Sequence, residues 1–404
     1  MIAVVLAACG DGGAAPEAAP IDADDRVGLV SVQVLTNDLS AGRYEVYFQN
    51  ADSSLVLATR TLDDGSANAF MAAGGFVTVG TSNTLWTFSD VQVGDHLIID
   101  QRPQFGSSQQ TTFRLRLPPE PRATSIQLQT TCGLTDATAA QSVALLIGLG
   151  NCAPGLDMLA LAYGDPGPIS YLYRDSVAIA PTVTLDAPYR PIETSTIEVT
   201  NAPFAGVRTL QTVFGTHGAL YSTFPFGQAT DGRLSLSTPM PLPPGTRVMT
   251  DASSLDFTQA YVQHVVRWDP VGPLTQLDLS EQVHPLTSQP RFEPTSSTIR
   301  WTEDPSGLTP NAALVAMSFD FTNSWWIAGP RGADPVIRVP VLPGTAHQPH
   351  SEIGVFQLIN IADDGGYAQV REQLAGWQLG QPWPITGDSG HVVYETLSGL
   401  GPID

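Results

Sequence analysis

Few side chains in this sequence are spaced for chemistry. Gly387-Asp388-Ser389-Gly390 matches the loop around the nucleophile of chymotrypsin-like proteases. A serine nucleophile needs a histidine base, a carboxylate to orient that base, and an oxyanion hole. Here His391 replaces the usual second glycine, so a polar turn leading into the strand His391 to Tyr394 is the better account. His347 and His350 could offer two metal ligands, but Pro349 breaks any helix that would present them on one face, which leaves a solvated loop. Asp22, Asp24 and Asp25, and Asp363 and Asp364, are oxygen-rich turns without the spacing of an EF-hand loop. No metal site and no cofactor is therefore expected. The sequence contains no G-x-S-x-G elbow, no glycine-rich phosphate loop and no H-E-x-x-H.

Two features point to binding and to covalent bracing instead. Trp325 and Trp326 are adjacent bulky aromatics in a strand-like run. Neighbours on a strand point to opposite faces, so in a sandwich one of the two looks outward, where it is either covered by a neighbouring loop or domain, the better account, or left as a candidate binding patch. Cys132 and Cys152 each sit at the edge of a strand-like run. In an oxidising compartment such a pair is expected to form a disulfide.

Charge removes further classes of partner. The chain has 18 basic residues against 39 acidic ones, a net charge of −21, and every basic residue is arginine. Nucleic-acid binding draws its affinity from basic residues that release phosphate counterions, so no nucleic-acid partner is expected. Lysine chemistry, including Schiff bases and the P-loop lysine, is excluded outright.

The elements that would carry these residues are strands. Val30, Val32 and Val34, then Tyr44, Val46 and Phe48, then Phe113, Leu115 and Leu117, alternate with polar neighbours. This is the period-two pattern of strands with one buried face. Asp64-Gly65, Gly74-Gly75 and Gly94-Asp95 fall between such runs as turn signals. The 37 glycines and 33 prolines punctuate short apolar runs along the whole chain. Only Val370 to Trp377 reads as helix.

At 404 residues the chain exceeds one ordinary core. The pattern predicts β-sandwich domains at 24–118, 122–191 (with the cysteine pair), 192–287 and 288–404, with a stiff junction at Pro118-Pro119-Glu120-Pro121. Leu234 to Thr246 is echoed by Val336 to Thr345, a strand running into a proline-bounded turn, which suggests that the last two domains share a build.

The chain opens with an apolar run ending in Leu6-Ala7-Ala8-Cys9, followed by a Gly/Ala/Pro stretch to Pro20. That order resembles a bacterial lipobox. The resemblance implies that residues 1–8 are the tail of a signal peptide, that Cys9 carries the lipid, and that 9–23 is a flexible linker. Gly10 after the cysteine implies the outer membrane of the bacterial cell envelope. Together with the 64–79 hairpin pattern and Ile126 to Gly133, the layout resembles uncharacterised bacterial lipoproteins with tandem immunoglobulin-like or carboxypeptidase-regulatory-like sandwiches. The expected fold is all-β, tandem immunoglobulin-like β-sandwich domains after a lipidated N-terminal linker. The expected function is a non-enzymatic binding or structural module, held to the membrane by its N-terminal lipid and taking a protein or glycan ligand. The alternative is a secreted hydrolase with a site assembled from dispersed residues.

Overall fold

The computed structural model describes residues 27–398, apart from 36–43, 81–83, 101–109, 132, 139–141, 149–155, 166, 179, 257–260, 282, 284–285, 319–323, 344–352, 362–365 and 375–391. Thirty strands and one helix make up the described chain, which is all-β as the alternating pattern requires. Cys9, Cys132 and Cys152, His347 and His350, the two aspartate turns and the 387–390 loop lie outside the described residues.

The strands fall into four sandwich units. The first contains β1 (Val27–Leu35), β2 (Glu45–Gln49), β3 (Leu55–Arg60), β4 (Ser66–Ala72), β5 (Gly75–Gly80), β6 (Thr84–Val91) and β7 (His96–Asp100). β1 lies between β4, antiparallel, and β7, parallel, while the facing strands run in the order β3-β2-β5-β6. Val30, Val32 and Val34 from one sheet meet Val46, Phe48, Val77 and Val79 from the other. Gly65 turns the chain into β4 with φ +82°, and a Cβ there would stand 2.2 Å from the Val34 carbonyl oxygen. Only glycine fits that turn.

The second unit repeats the order with β8 (Gln110–Arg116), β9 (Ser125–Thr130), β10 (Gly133–Thr138), β11 (Ser142–Gly148), β12 (Leu156–Tyr163), β13 (Pro168–Val177), β14 (Thr182–Thr184) and β15 (Arg190–Pro191). β8 lies between β11 and β14, facing β10-β9-β12-β13-β15. The third has β16 (Glu193–Thr200), β17 (Gly206–Phe214), β18 (Ala219–Thr223), β19 (Phe226–Gln228), β20 (Leu234–Met240), β21 (Arg247–Asp256), β22 (Tyr261–Pro270) and β23 (Leu274–Asp278). There β16 lies between β20 and β23. The fourth has β24 (Leu286–Glu293), β25 (Thr298–Glu303), β26 (Ala312–Ser318), β27 (Ser324–Pro330), β28 (Val336–Arg338), β29 (Ile353–Ile361), α1 (Gly366–Leu374) and β30 (Val392–Ser398). The sequence echo between Leu234 and Val336 now has a structural meaning. β20 and β28 hold the same place, each antiparallel to the central strand of its unit's small sheet.

The units do not keep their sheets to themselves. β22 pairs with β30, and β27 pairs in parallel with β6, so strands of the third, fourth and first units join in one 13-stranded sheet. The second unit attaches through side chains: Leu159, Leu161 and Tyr171 cover Leu220 and Tyr221 of the third. β12 is therefore buried on both faces, which explains why Leu156 to Tyr163 is continuously apolar apart from Asp157.

The core of the third unit is split. Val213, Met240, Leu242 and Val248 form one apolar cluster, and Ile197, Val199, Val207, Ala252 and Val265 belong to another. Ser195, Gln211 and Thr250 are fully or almost fully buried in the same unit, and Gln211 stands opposite Thr250 in the strand register. The Gln211 amide, the Ser195 hydroxyl and the Thr250 hydroxyl have no hydrogen-bond partner among the described residues. Burying an unpaired polar group costs about 1–3 kcal/mol. Gln211→Met keeps the length of the side chain and removes the amide. It is expected to raise stability by about 1 kcal/mol or more, read as a higher urea midpoint at unchanged slope.

Candidate binding groove at the seam of the first and last units

The parallel pairing of β6 with β27 aligns Trp325 with Leu85 and Trp326 with Trp86. The two tryptophans of β27 do point to opposite faces, as the pleat demands, but both faces are covered. Trp325 is 0% exposed and Trp326 3%. Trp326 stacks on Trp86 with ring centroids 5.6 Å apart, and the Trp325 indole N–H donates to Thr87 Oγ1 at 2.8 Å. The candidate exposed patch is thus corrected, and cover by a neighbouring unit, the other outcome the sequence left open, is what the structure shows. These rings hold two units together, because the first unit supplies the cover that a lone sandwich would lack.

A second fastener comes from α1, whose Tyr367 and Val370 pack into the core shared by the first and fourth units. The Tyr367 hydroxyl lies 2.9 Å from the carbonyl oxygens of both Ser89 and Ala328, one from each unit. Burial pushes this phenol well above its ordinary pKa, so it remains a donor. Arg371, on the same helix, is 4% exposed. It donates to the Asp90 carbonyl oxygen at 2.8 Å and reaches the Asp95 carboxylate at 2.7–2.8 Å. Burial raises the carboxyl pKa of Asp90, and the Arg371 guanidinium opposes that rise. The pattern from Val370 to Trp377 announces a helix near here but not its role. The signal was available: Arg371 lies one residue from Val370, on the only stretch that reads as helix.

The seam also encloses an open groove of about 460 Å³. One wall is the β2–β3 turn, with Ala51, Asp52 and Ser53; the other is formed by Thr295 to Thr298, Arg300, Arg338 and Val341. Gln49, fully buried, ties the walls by donating to the carbonyl oxygens of Ser53 at 3.0 Å and Val341 at 2.7 Å. Arg338 donates across the seam to the Ala51 carbonyl oxygen at 3.2 Å. Arg300 is held by Glu293 at 3.1 Å, and Ser296 hydrogen-bonds the same carboxylate. The groove is therefore lined by guanidinium and hydroxyl groups and the Asp52 carboxylate, with valine between them. Its volume falls in the range of small-molecule sites, which favour the junctions between domains. The chemistry suits a ligand rich in hydroxyl or carboxylate oxygens.

Two clusters bring serine, histidine and aspartate together and bear on the hydrolase alternative. His264 Nδ1 lies 3.0 Å from Asp251 Oδ1 and 2.9 Å from Ser253 Oγ. A catalytic relay needs the carboxylate on one ring nitrogen and the serine on the other. Here both address the same nitrogen. In the other cluster, the fully buried Asp157 accepts the backbone N–H groups of Ser176 at 3.0 Å and His217 at 2.7 Å. Its carboxylate is committed to the backbone rather than to the imidazole. It fastens the second unit to the third, and a Cβ on Gly215 would stand 2.3 Å from its Oδ2. Among the described residues no group of three or more histidine, cysteine, aspartate or glutamate side chains could hold a metal ion.

No family model matches the sequence, and no curated protein matches it. Solved structures similar to this chain include the Bacillus anthracis TIE protein, at 7% identity and TM-score 0.16, covering 62% of this chain and 49% of that one. A pilus adhesin, SpaC from Lactobacillus rhamnosus GG, is similar at 12% identity and TM-score 0.16, covering 78% and 44%. A tetra-tandem repeat in the extending region of a large adhesion protein is similar at 11% identity and TM-score 0.13, covering 83% and 94%. The chain thus spans less than half the length of the first two. Similarity of this size carries no argument about activity, and the all-β architecture rests on the strands themselves.

Removing a buried ion-pair partner leaves the other charge uncompensated, at a cost of about 3–5 kcal/mol. Arg371→Ala is therefore expected to destabilise the protein by about 3 kcal/mol in urea unfolding. Adding Asp95→Asn to Arg371→Ala should cost less than the sum of the single changes, a non-additivity that a double-mutant cycle reads directly.

Proposed function

We propose that this protein is a non-enzymatic module of the bacterial cell envelope that presents the seam groove in a fixed orientation to a ligand rich in hydroxyl or carboxylate groups. The observation that supports this reading most directly is the closure of the fourth unit on the first. Trp86 and Trp326 stack, Arg371 bridges to Asp90 and Asp95, and Gln49 and Arg338 tie the groove walls. A site whose turn-built walls are tied together, as by the buried Gln49, is pre-organised, which lowers the entropy cost of binding. The single-nitrogen geometry at His264 supports the non-enzymatic reading over the hydrolase one. Tethering to the membrane through lipid on Cys9 follows from the lipobox resemblance and belongs to the same proposal.

An array of acidic and neutral oligosaccharides and envelope-derived peptides tests the groove. At least one acidic or polyhydroxylated class is expected to bind the wild-type chain, and Arg338→Ala should weaken that binding about tenfold, with melting temperature changed little. An array without a hit, or a hit indifferent to Arg338→Ala, rules out the groove as the site. The anchor is tested separately by mass spectrometry of the native chain: a diacylglyceryl mass on Cys9 is expected, and Cys9→Ser should move the protein from the membrane to the soluble fraction.

A further inference from the structure

The 13-stranded sheet ends in two very different ways. At one end β18 is covered by the second unit, with Leu220 packed among Leu159, Leu161 and Tyr171. At the other end β3 pairs with β2 alone and has no second strand partner among the described residues. Along β3 only Thr59 is partly buried, and the remaining five residues are exposed. Leu55 is 47% exposed, Val56 36% and Leu57 39%. Leu57 stands opposite the fully buried Phe48 and so shares its core-facing side, which means that the strand overhangs the sheet meant to cover it. Natural sheet edges are usually blunted by proline, lysine, inward charge or a covering loop. β3 has neither proline nor lysine, and its single charge, Arg60, is turned to Glu45 at 3.1 Å.

The hydrogen-bond phase of this edge can be read from its end. Thr61 N–H donates to the Tyr44 carbonyl oxygen at 2.9 Å, and the register continues as Glu45 with Arg60, Val46 with Thr59, Tyr47 with Ala58 and Phe48 with Leu57. Bonded and non-bonded pairs alternate in an antiparallel ladder. Thr59 and Leu57 therefore exchange bonds with β2, while Ala58 and Arg60 direct their N–H and C=O groups outward.

Charge selects the occupant. Exposed Asp52 precedes the strand, and exposed Asp63 and Asp64 follow it. Hydrogen bonds from Ser54 and Ser66 hold the carboxyls of Asp52 and Asp64 below the usual range, so both stay ionised at neutral pH. A second copy laid antiparallel on β3 would place its own Asp63 and Asp64 beside Asp52 at both ends, and a parallel copy would oppose like to like throughout. Both arrangements are repulsive. A strand with basic flanks is attracted at each end.

We propose that β3 is a docking edge that adds one antiparallel strand from an extended partner peptide, apolar at alternate positions over about six residues and carrying Arg or Lys on both flanks. Main-chain bonds from Ala58 and Arg60 supply the affinity, the exposed leucines and valine take the alternate side chains, and Asp52, Asp63 and Asp64 take the flanks. This site lies along the open edge of β3 and shares only Asp52 with the seam groove.

The probe is a fluorescein-labelled peptide, Arg-Arg-Val-Thr-Val-Thr-Val-Arg-Arg, titrated with the full chain and followed by anisotropy. Saturable binding is expected, weakening as salt rises, with slowed amide exchange at Ala58 and Arg60. The same peptide N-methylated at alternate backbone positions should bind at least about tenfold more weakly, since it cannot complete the ladder. Ala58→Pro removes an outward N–H without taking a bond from β2 and should abolish binding. The proposal is overturned by no binding at about 1 mM peptide, or by equal binding of the N-methylated peptide, a comparison that needs no variant to fold. It is also overturned by a dimer of the chain that Ala58→Pro dissociates, which would make a second copy the occupant.

Discussion

The pairing of β6 with β27 is the contact on which the arrangement of this molecule turns. It joins residues about 240 positions apart, as the Trp325 to Thr87 bond across 238 residues shows. Loop-closure entropy grows only logarithmically with length, by about 0.6 kcal/mol per doubling, so a remote pairing is not forbidden; it needs enough local contact to hold. Here that contact is dense. Two tryptophans stack, a third indole donates to a buried threonine, and five register pairs run between the strands. Parallel pairing of two edge strands leaves neither edge exposed at that place, which removes a liability from both units at once.

Once the seam is closed, other features follow from it. The overhang of β3 becomes the terminal edge of a sheet that is otherwise paired from β18 onward. The turn after β2 is brought against the fourth unit and becomes a wall of the groove. The helix α1 gains a floor made from both units, which explains how nine residues with little amphipathic character can hold a buried tyrosine and a buried arginine. In the first three units the small sheet places the first strand between an antiparallel neighbour and a later parallel one. In the fourth the corresponding edge is taken by β24, which precedes the central strand and runs antiparallel to it. The same layout is therefore completed from the other side of the chain.

What the sequence discloses is the local part of this. Alternation at Val30, Val32 and Val34 or at Phe113, Leu115 and Leu117 identifies strands and their inward faces, because period two is a property of one strand alone. Continuous runs such as Leu156 to Tyr163 announce burial on both sides, but not what does the burying. Nor does local alternation announce that one strand spans Pro168–Val177 with Ser176 at φ +48° near its end. The tryptophan pair shows the limit most clearly. The pleat sends Trp325 and Trp326 to opposite faces, and no local pattern says that strand β6 of a distant unit will cover one of them. Asp157, His264 and Arg371 were equally hidden, since each acquires its role from residues on other strands or units.

The choice of cation fits this dependence on remote contacts. All 18 basic residues are arginine, and the joints use the properties that separate arginine from lysine. Arg371 satisfies a carbonyl oxygen and a carboxylate with different nitrogens of one planar group. Arg338 reaches a backbone oxygen across the seam, and Arg331 is paired with the nearly buried Glu303 inside the fourth unit. A lysine ammonium is a compact, strongly hydrated charge, dearer to bury and unable to span two acceptors in a fixed fork. In a chain with a net charge of −21, carboxylates are plentiful and cations scarce. At the seam Arg371 serves two acceptors at once, and the guanidinium is the side chain built to do so.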